Sequence, residues 1–284
     1  MMKERTLRVL EFTKIRDRLA SKAMTDMGRE RCEALVPSSN MTEIQRMQAE
    51  TEEATVILQY VGASPLVPFS DVRASLTLAE KGATLSQKAL LEVAALMQSA
   101  RAARKALDTE RDNTPILKEL AQRLSTLHNV EQDITNAIIS EDEIADRASN
   151  ELMDIRRHLR GANERIKEKL NQMIRSSAFQ KYLQDPIVTM RNDRYCLPVK
   201  AEYRGSVPGL VHDQSSTGAT LFIEPMAAVE MGNELKTWAA KEKQEIERIL
   251  AALSAEIAPY ADQLRETVET LAELDYIFAK GMLS

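Results

Sequence analysis

The sequence predicts a mainly α-helical protein, with a helical core bundle and a long antiparallel helix pair that carries a small antiparallel β insert. Three observations lead to this fold class. Only 12 of the 284 residues are aromatic (5 Phe, 6 Tyr and 1 Trp), whereas helix-forming residues such as Leu, Ala, Glu, Lys and Arg dominate. Apolar residues recur every three or four positions along most of the chain. One segment, residues 186–225, breaks this pattern.

The helical core is predicted to cover residues 1–147. Thr25, Asn40 and Ser86 each stand immediately before a helical run, as N-cap residues do. Gly62 follows such a run, in the place of a helix C-terminus. These signals divide the region into a bundle of short and medium helices.

Two long helices are predicted on either side of the irregular segment, the first in residues 148–185 and the second in residues 226–284, where the chain also returns to the core. Each has a narrow apolar stripe typical of a helix that packs against a partner. We expect the two helices to fold back as an antiparallel pair. The stripe residues are Leu152, Ile155, Leu159, Ala162, Ile166, Leu170 and Met173 in the first helix, and Leu235, Trp238, Ile246, Leu250, Leu253 and Ile257 in the second.

The β insert, residues 186–225, contains four of the nine prolines and three of the nine glycines. Short runs rich in Val, Ile, Leu, Tyr and Phe lie between turn residues, which predicts three or four antiparallel strands. Pro198 indicates an edge strand, because proline cannot donate to a sheet. The strand runs are "PIVTM", "RYCLPVK", "VPGLVHD" and "ATLFIEP", and the predicted hairpin turns are "RND", "YRGS" and "SSTG".

Charge and cysteine content limit the possible classes of protein. The net charge of −5 argues against a uniformly basic nucleic-acid binder. Residues 151–204, however, carry twelve Lys/Arg against seven Asp/Glu, while the remainder carries 26 against 36. Cys32 and Cys196 lie far apart, and no secretory or membrane-spanning run is present, so we expect a cytoplasmic protein with two buried thiols.

No arrangement of residues predicts a catalytic, cofactor or metal site. Neighbouring strand residues point to opposite faces, so His212 and Asp213 cannot converge without a bulge, and no G-x-S-x-G elbow accompanies Ser215 and Ser216. His128 has no second ligand at helical spacing, and the same holds for His158. The P-loop pattern G-x-x-x-x-G-K-[ST] is absent from the sequence.

Four basic residues remain as candidates within the β insert: Arg191, Arg194, Lys200 and Arg204. One interpretation is that they are solubilising charge on an exposed surface. The other is sequence-independent contact with a phosphate backbone, where Lys and Arg gain from counterion release. Because the insert is predicted at the far end of a long helix pair, where it can reach around a large partner, we favour contact with nucleic acid.

The sequence resembles the MutS-two branch of the bacterial MutS family along essentially its whole length, from "LEFTKIRDRLA" onward. The segments that carry the resemblance are "AEKGATLS", "MIRSSAFQKYLQDPIVTMRNDRY", "RNDRYCLPVKAEYRGSVPGLVHDQSSTGATLFIEPMAAVEMGNELK", "KEKQEIERIL" and "LAELDYIFAKG". By this resemblance the helical bundle is the core, the helix pair the lever, and the β insert the clamp. The chain is then a non-catalytic region that grasps a substrate, implied to be branched DNA, in restraint of homologous recombination, or the ribosomal RNA of collided ribosomes, in ribosome rescue.

The resemblance also implies a longer, homodimeric parent protein. An ATPase domain binding ATP and magnesium would follow Ser284, with an Smr nuclease module beyond it, and neither is in these 284 residues. The mismatch-reading domain of repair MutS is also missing, so mismatch recognition is not implied. The alternative is a protein-binding coiled-coil scaffold without nucleic-acid affinity, which predicts an exposed apolar stripe near Leu235 and Trp238.

Overall fold

A computed structural model describes residue 7, residues 9–108 and residues 113–284. It confirms the predicted fold class, since the chain is mainly α-helical with a small antiparallel β insert. Two compact units are formed: Met1–Ala145 with Ile249–Ser284 (unit 1), and Asp146–Arg248 (unit 2). The predicted core range includes residues 1–6, 8 and 109–112, which lie outside the described residues.

The secondary-structure elements follow one another in chain order. The helices are α1 (Phe12–Ala20), α2 (Asp26–Glu33), α3 (Met41–Val61), α4 (Arg73–Glu80), α5 (Gln87–Leu107), α6 (Pro115–Gln122), α7 (His128–Ala137), α8 (Asn150–Arg175), α9 (Ser177–Gln180), α10 (Met226–Ile257) and α11 (Ala261–Leu283). The strands are β1 (Ile138–Ser140), β2 (Glu143–Ile144), β3 (Thr189–Arg191), β4 (Arg194–Lys200), β5 (Gly209–Gln214) and β6 (Thr220–Pro225). Short 3-10 turns occupy Asp146–Ala148, Ala201–Ser206 and Ala258–Tyr260.

The predicted helix caps are confirmed. Thr25, Asn40 and Ser86 each accept a hydrogen bond on the side chain from a backbone N–H two or three residues further on, which satisfies a donor that the first turn leaves unpaired. Gly62 ends α3 in the left-handed conformation, with φ of 81°, where a side chain would be strained.

Helix α11 is the centre of unit 1. It contacts α1 to α6, and its buried residues include Leu264, Leu271 and Phe278. Asp275, which is fully buried, accepts hydrogen bonds from the backbone nitrogens of Met24 (3.0 Å) and Thr25 (2.8 Å) and from the Thr25 hydroxyl (2.6 Å). The final helix therefore completes the core and also fixes the start of α2.

In unit 2 the helices α8 and α10 form the predicted antiparallel pair. Residues further along α8 contact residues progressively nearer the start of α10. In order along α8, these contacts are Ser149 Oγ to Glu245 Oε1 (2.6 Å), Arg156 Nε to Glu242 Oε1 (2.7 Å), the rings of His158 and Trp238 (4.3 Å between centroids) and Arg165 to Glu234 (3.0 Å).

The insert forms a four-stranded antiparallel sheet in the order β3-β4-β6-β5. The "RND" and "SSTG" turns form hairpins, but the hairpin predicted at "YRGS" is wrong, because β6 lies between β4 and β5. The edge position predicted from Pro198 is also wrong, since β4 is internal. The Pro198 carbonyl accepts from the nitrogen of Gln184, so the proline nitrogen faces that side too and no bond to β6 is lost.

Candidate nucleic-acid interface

The sheet packs one face against the ends of the two long helices. Tyr195, Leu197 and Val199, alternate residues of β4, join Ile166 of α8 and Ala228 of α10 in a single hydrophobic cluster. A small sheet has too little core to be stable alone, and the helices supply the missing partner surface. Strand alternation places Arg194 and Lys200 on the other face of β4, where Arg194 still reaches Asn233 of α10.

The buried carboxylate of Glu224 joins three strands and a helix. Its side chain is 0% exposed, and one oxygen lies 3.0 Å from the Arg194 guanidinium and the other 2.7 Å from His212 Nε2. Arg194 also donates to the side chain of Asn233 on α10 (2.7 Å). A Cβ at Gly232 would lie 2.6 Å from the carboxylate, so only glycine lets the helix approach this closely. The pairing compensates a charge that burial alone would strongly destabilise.

Arg191 covers the ring of Phe222. Its guanidinium carbon lies 4.0 Å from the ring centroid, and its Nε lies 3.3 Å from Asp213 Oδ2. The next residue, Asn192, donates to the backbone carbonyl of His212 (3.0 Å). The turn of the β3-β4 hairpin therefore lies against β5 and β6 and is held there by polar contacts.

Lys200 and Arg204 are placed differently. Lys200 is half-buried opposite Thr220 of β6, and its side chain forms no ion pair or hydrogen bond with any described residue. Arg204 is exposed, and its guanidinium donates to the backbone carbonyls of Val207 (3.4 Å) and Gly209 (3.2 Å). Neither side chain has a carboxylate partner among the described residues.

The four predicted contact residues thus divide into two pairs. The Arg194 side chain is 14% exposed and that of Arg191 is 39% exposed, and each is paired with a carboxylate. Lys200 and Arg204 keep their charge uncompensated by an acidic partner in the described structure. The assignment of all four to nucleic acid stays a prediction, but the second pair is the better placed to meet a phosphate.

A β-bulge between Val211 and Asp213 changes the direction of the His212 side chain. This bulge brings His212 to Glu224, while Asp213 pairs with Arg191. The Ser215 hydroxyl accepts from the backbone nitrogen of Thr220 (3.1 Å), inside the β5-β6 turn. The three side chains therefore have different partners and do not form a nucleophile, base and acid arrangement.

Both cysteines are fully buried and free, as predicted. Burial is the main cause that raises the pKa of each thiol to about 11, with a further contribution from the carboxylate of Asp275 at Cys32 and of Glu224 at Cys196. Protonated thiols are poor nucleophiles and poor metal ligands.

An aromatic and basic group escaped the sequence analysis. Tyr182 packs edge-on against Phe179, with 5.9 Å between ring centroids, and its centroid lies 5.3 Å from that of Tyr203. The ammonium of Lys181 lies 4.9 Å from the Tyr182 centroid, and the backbone nitrogen of Lys200 donates to the Tyr182 carbonyl. The run "FQKY" at residues 179–182 was the local signal, whereas Lys200 and Tyr203 come from a distant part of the sequence.

The apolar stripe expected by the scaffold alternative is covered. Leu235 is half-buried against the cluster under the sheet, and Trp238 is half-buried between His158 and the ammonium of Lys241, which lies 4.2 Å from its ring centroid. The surface that this alternative needs for a partner protein is thus occupied within unit 2.

The described residues contain neither a cluster of metal-ligand side chains nor a helix that could span a membrane. No three His, Cys, Asp or Glu side chains in the described ranges come together as a possible metal centre. Among the same residues, no helix combines the length and apolar character needed to cross a bilayer.

Comparison with known proteins identifies relatives that match this chain along its whole length. No protein-family model matches it. It is 46% identical over 288 residues to "Endonuclease MutS2" of Acetivibrio thermocellus, and 47% identical over 285 and 283 residues to the proteins of that name from Alkaliphilus oremlandii and Symbiobacterium thermophilum. Each alignment covers 100% of the chain. Over its whole length the chain is similar to one region of proteins named MutS2.

The chain spans about 36% of the length of the MutS2 relatives it matches. The resemblance read from the sequence is therefore confirmed, and it concerns one region of a longer kind of protein. The word endonuclease in the relatives' name refers to those longer proteins.

Proposed function

We propose that this chain is the non-catalytic, substrate-grasping region of a MutS2 protein, and that it holds nucleic acid by the phosphate backbone through its β insert. The observation that carries the proposal is the pair Lys200 and Arg204, two cations on the insert that reach solvent without a carboxylate partner in the described structure. Cations of this kind attract polyanions without regard to sequence. Residues 151–204 carry more basic than acidic residues, which also supports contact between this region and a polyanion.

For the full-length protein we propose two substrates that this chemistry fits, branched DNA in the restraint of homologous recombination and the RNA of collided ribosomes in ribosome rescue. Both are polyanions with exposed phosphates. ATP and magnesium would act in a part of the homodimeric parent outside these 284 residues, since no P-loop motif occurs here. An endonuclease activity would belong to that other part as well.

The first test removes the two uncompensated charges. In a Lys200→Gln, Arg204→Gln variant we expect weaker binding to duplex DNA of any sequence, and a salt dependence flattened by roughly one unit of slope per lost phosphate contact. Titration of a labelled duplex at several salt concentrations measures both. Arg204→Lys keeps the charge while altering the backbone hydrogen bonds, and Lys81→Gln removes an exposed charge from unit 1.

The proposal fails if the double variant keeps the parent affinity and salt slope, or if Lys81→Gln has an equal effect. Substrate choice is decided with the full-length protein, by comparing binding to four-way DNA junctions with co-sedimentation on stalled disomes at the same salt concentration. Loss of only one of the two interactions in the double variant would identify the substrate that the insert contacts.

A further inference from the structure

We infer that the β insert and the adjoining turn carry a second contact, which stacks on unpaired bases: the aromatic and basic group of Phe179, Tyr182 and Tyr203 with Lys181. This inference rests on the proposed function and adds a preference for single-stranded or unstacked nucleotides over intact duplex. Aromatic rings next to a cation are the chemistry that binds single strands, because every base offers a π-face and the cation can meet a phosphate.

The three rings are only partly used by the core. Each is half-buried, with one side against the hydrophobic cluster of the sheet and the rest facing solvent. Tyr195 provides the contrast: it is 8% exposed, and its hydroxyl donates to Asn163 at 2.9 Å. In the part of the chain that is described, the hydroxyls of Tyr182 and Tyr203 have no such partner, as expected for rings that face solvent.

The other aromatic ring of the sheet is already covered. Phe222 has the Arg191 guanidinium 4.0 Å from its centroid, and that guanidinium is fixed by Asp213. The cation near Tyr182 is free to leave, because Lys181 is exposed and has no carboxylate partner in the described ranges. A base can therefore replace it while the lysine moves to a phosphate.

The charge around the rings is complementary to a polyanion. The Lys181 ammonium lies beside the Tyr182 ring, and the backbone nitrogen of Lys200 donates to the Tyr182 carbonyl (3.0 Å), while the Lys200 side chain lies on the other face of β4. The two segments that hold the rings, residues 179–185 and 200–204, carry three cations, Lys181, Lys200 and Arg204, against two carboxylates, Asp185 and Glu202. Cations are therefore in excess near the rings.

The test measures base stacking separately from phosphate contact. The 284-residue chain would be titrated against a single-stranded oligonucleotide, a forked duplex and a fully paired duplex, each with 2-aminopurine at one position, in DNA and RNA forms. We expect tighter binding to the unpaired forms, with quenching of 2-aminopurine only where it is unpaired. Tyr203→Leu should reduce affinity for the unpaired forms by about fivefold or more and abolish part of the quenching, with duplex affinity unchanged.

Tyr203→Phe, which keeps the ring, should behave like the parent, as should Tyr60→Leu, which removes a 62% exposed tyrosine from unit 1. Thermal unfolding of each variant shows that the fold is intact. The inference is overturned if the unsubstituted chain binds paired and unpaired forms equally. It is also overturned if the unsubstituted chain binds duplex and Tyr203→Leu weakens binding to paired and unpaired forms to the same degree. Absence of binding to every form would overturn the proposed function as well.

Discussion

At the scale of single residues, Glu224 decides which of the predicted cations are free. A fully buried carboxylate needs compensation, and Arg194 and His212 provide it from two other strands. Arg191 is likewise paired with a carboxylate, that of Asp213. Two of the four cations that look equivalent in the sequence are thus engaged in holding the sheet together, and their neutralised charge is less available to a phosphate.

Replacing Glu224 should therefore destabilise unit 2. In Glu224→Ala the Arg194 guanidinium loses its partner in a largely buried site, and we expect a loss of about 3 kcal/mol in the free energy of unfolding. Urea unfolding followed by fluorescence of Trp238, the one tryptophan of the sequence, reports on this unit. The matched control is Glu234→Ala, which removes a 42% exposed partner of Arg165 and should cost less than about 1 kcal/mol. Equal losses in the two variants would refute the role given to Glu224.

These pairings could not be predicted from the sequence. Arg194 and Glu224 are 30 residues apart, and Asn192 and the His212 carbonyl are 20 apart, so no local pattern links them. Their alignment depends on strand order and on the bulge at His212, both of which are set by packing. Residue type and position in the sequence identify the four candidate cations. Only the fold shows which of them are paired with carboxylates and which are free to meet a phosphate.

At the scale of elements, local signals predicted the helices and strands well, but they did not predict the order of the strands in the sheet. Capping side chains and the Pro/Gly-rich insert mark element limits directly. The position of β6 between β4 and β5 has no such marker, and Pro198 misled because its nitrogen faces Gln184 and not β6. The hairpin of β1 and β2 was missed because its strands contain only three and two residues.

The pairing of α8 with α10 should weaken in acid. Hydrogen bonds, first from Arg248 and then from Ser149, lower the pKa of Glu245 below its ordinary value of 4.5. Hydrogen bonds from Arg156 likewise lower the pKa of Asp146 below 3.8. A lowered pKa stabilises the folded state above the unfolded value and loses that contribution as the pH falls through the folded value.

We therefore expect the fluorescence of Trp238, which stacks on His158 in this pair, to change as the pH falls below about 4.5. The measurement is an acid titration of the folded chain in moderate urea. In Glu245→Gln the neutral-pH stability should be lower and the loss on acidification smaller. An unchanged acid profile in that variant would show that Glu245 does not contribute to the pH dependence.

At the scale of the whole molecule, the chain has two compact units and one buried thiol in each. Cys32 lies in unit 1 and Cys196 in unit 2, and both are 0% exposed. Because burial raises each thiol pKa to about 11, neither should react at pH 8 unless its surroundings open. Labelling rates therefore report opening of each unit separately.

Pulsed alkylation with peptide mapping should show slow labelling of both thiols in the parent chain. In Glu224→Ala we expect the rate at Cys196 to rise by roughly a hundredfold, the factor that corresponds to a loss of about 3 kcal/mol, and no change at Cys32. Parallel increases at both thiols would mean that the units open as one cooperative block.

The discontinuity of unit 1 also sets an order of events during protein synthesis. The first 145 residues leave the ribosome long before Ile249–Ser284, the segment that contains α11 and contacts α1 to α6. Until that segment emerges, apolar side chains such as Ala54 and Leu58, which lie close to Gly281 of α11, lack part of their cover, whereas Asp146–Arg248 is already complete and can fold. The nascent chain can therefore complete unit 2 before the bundle whose first part was translated earlier.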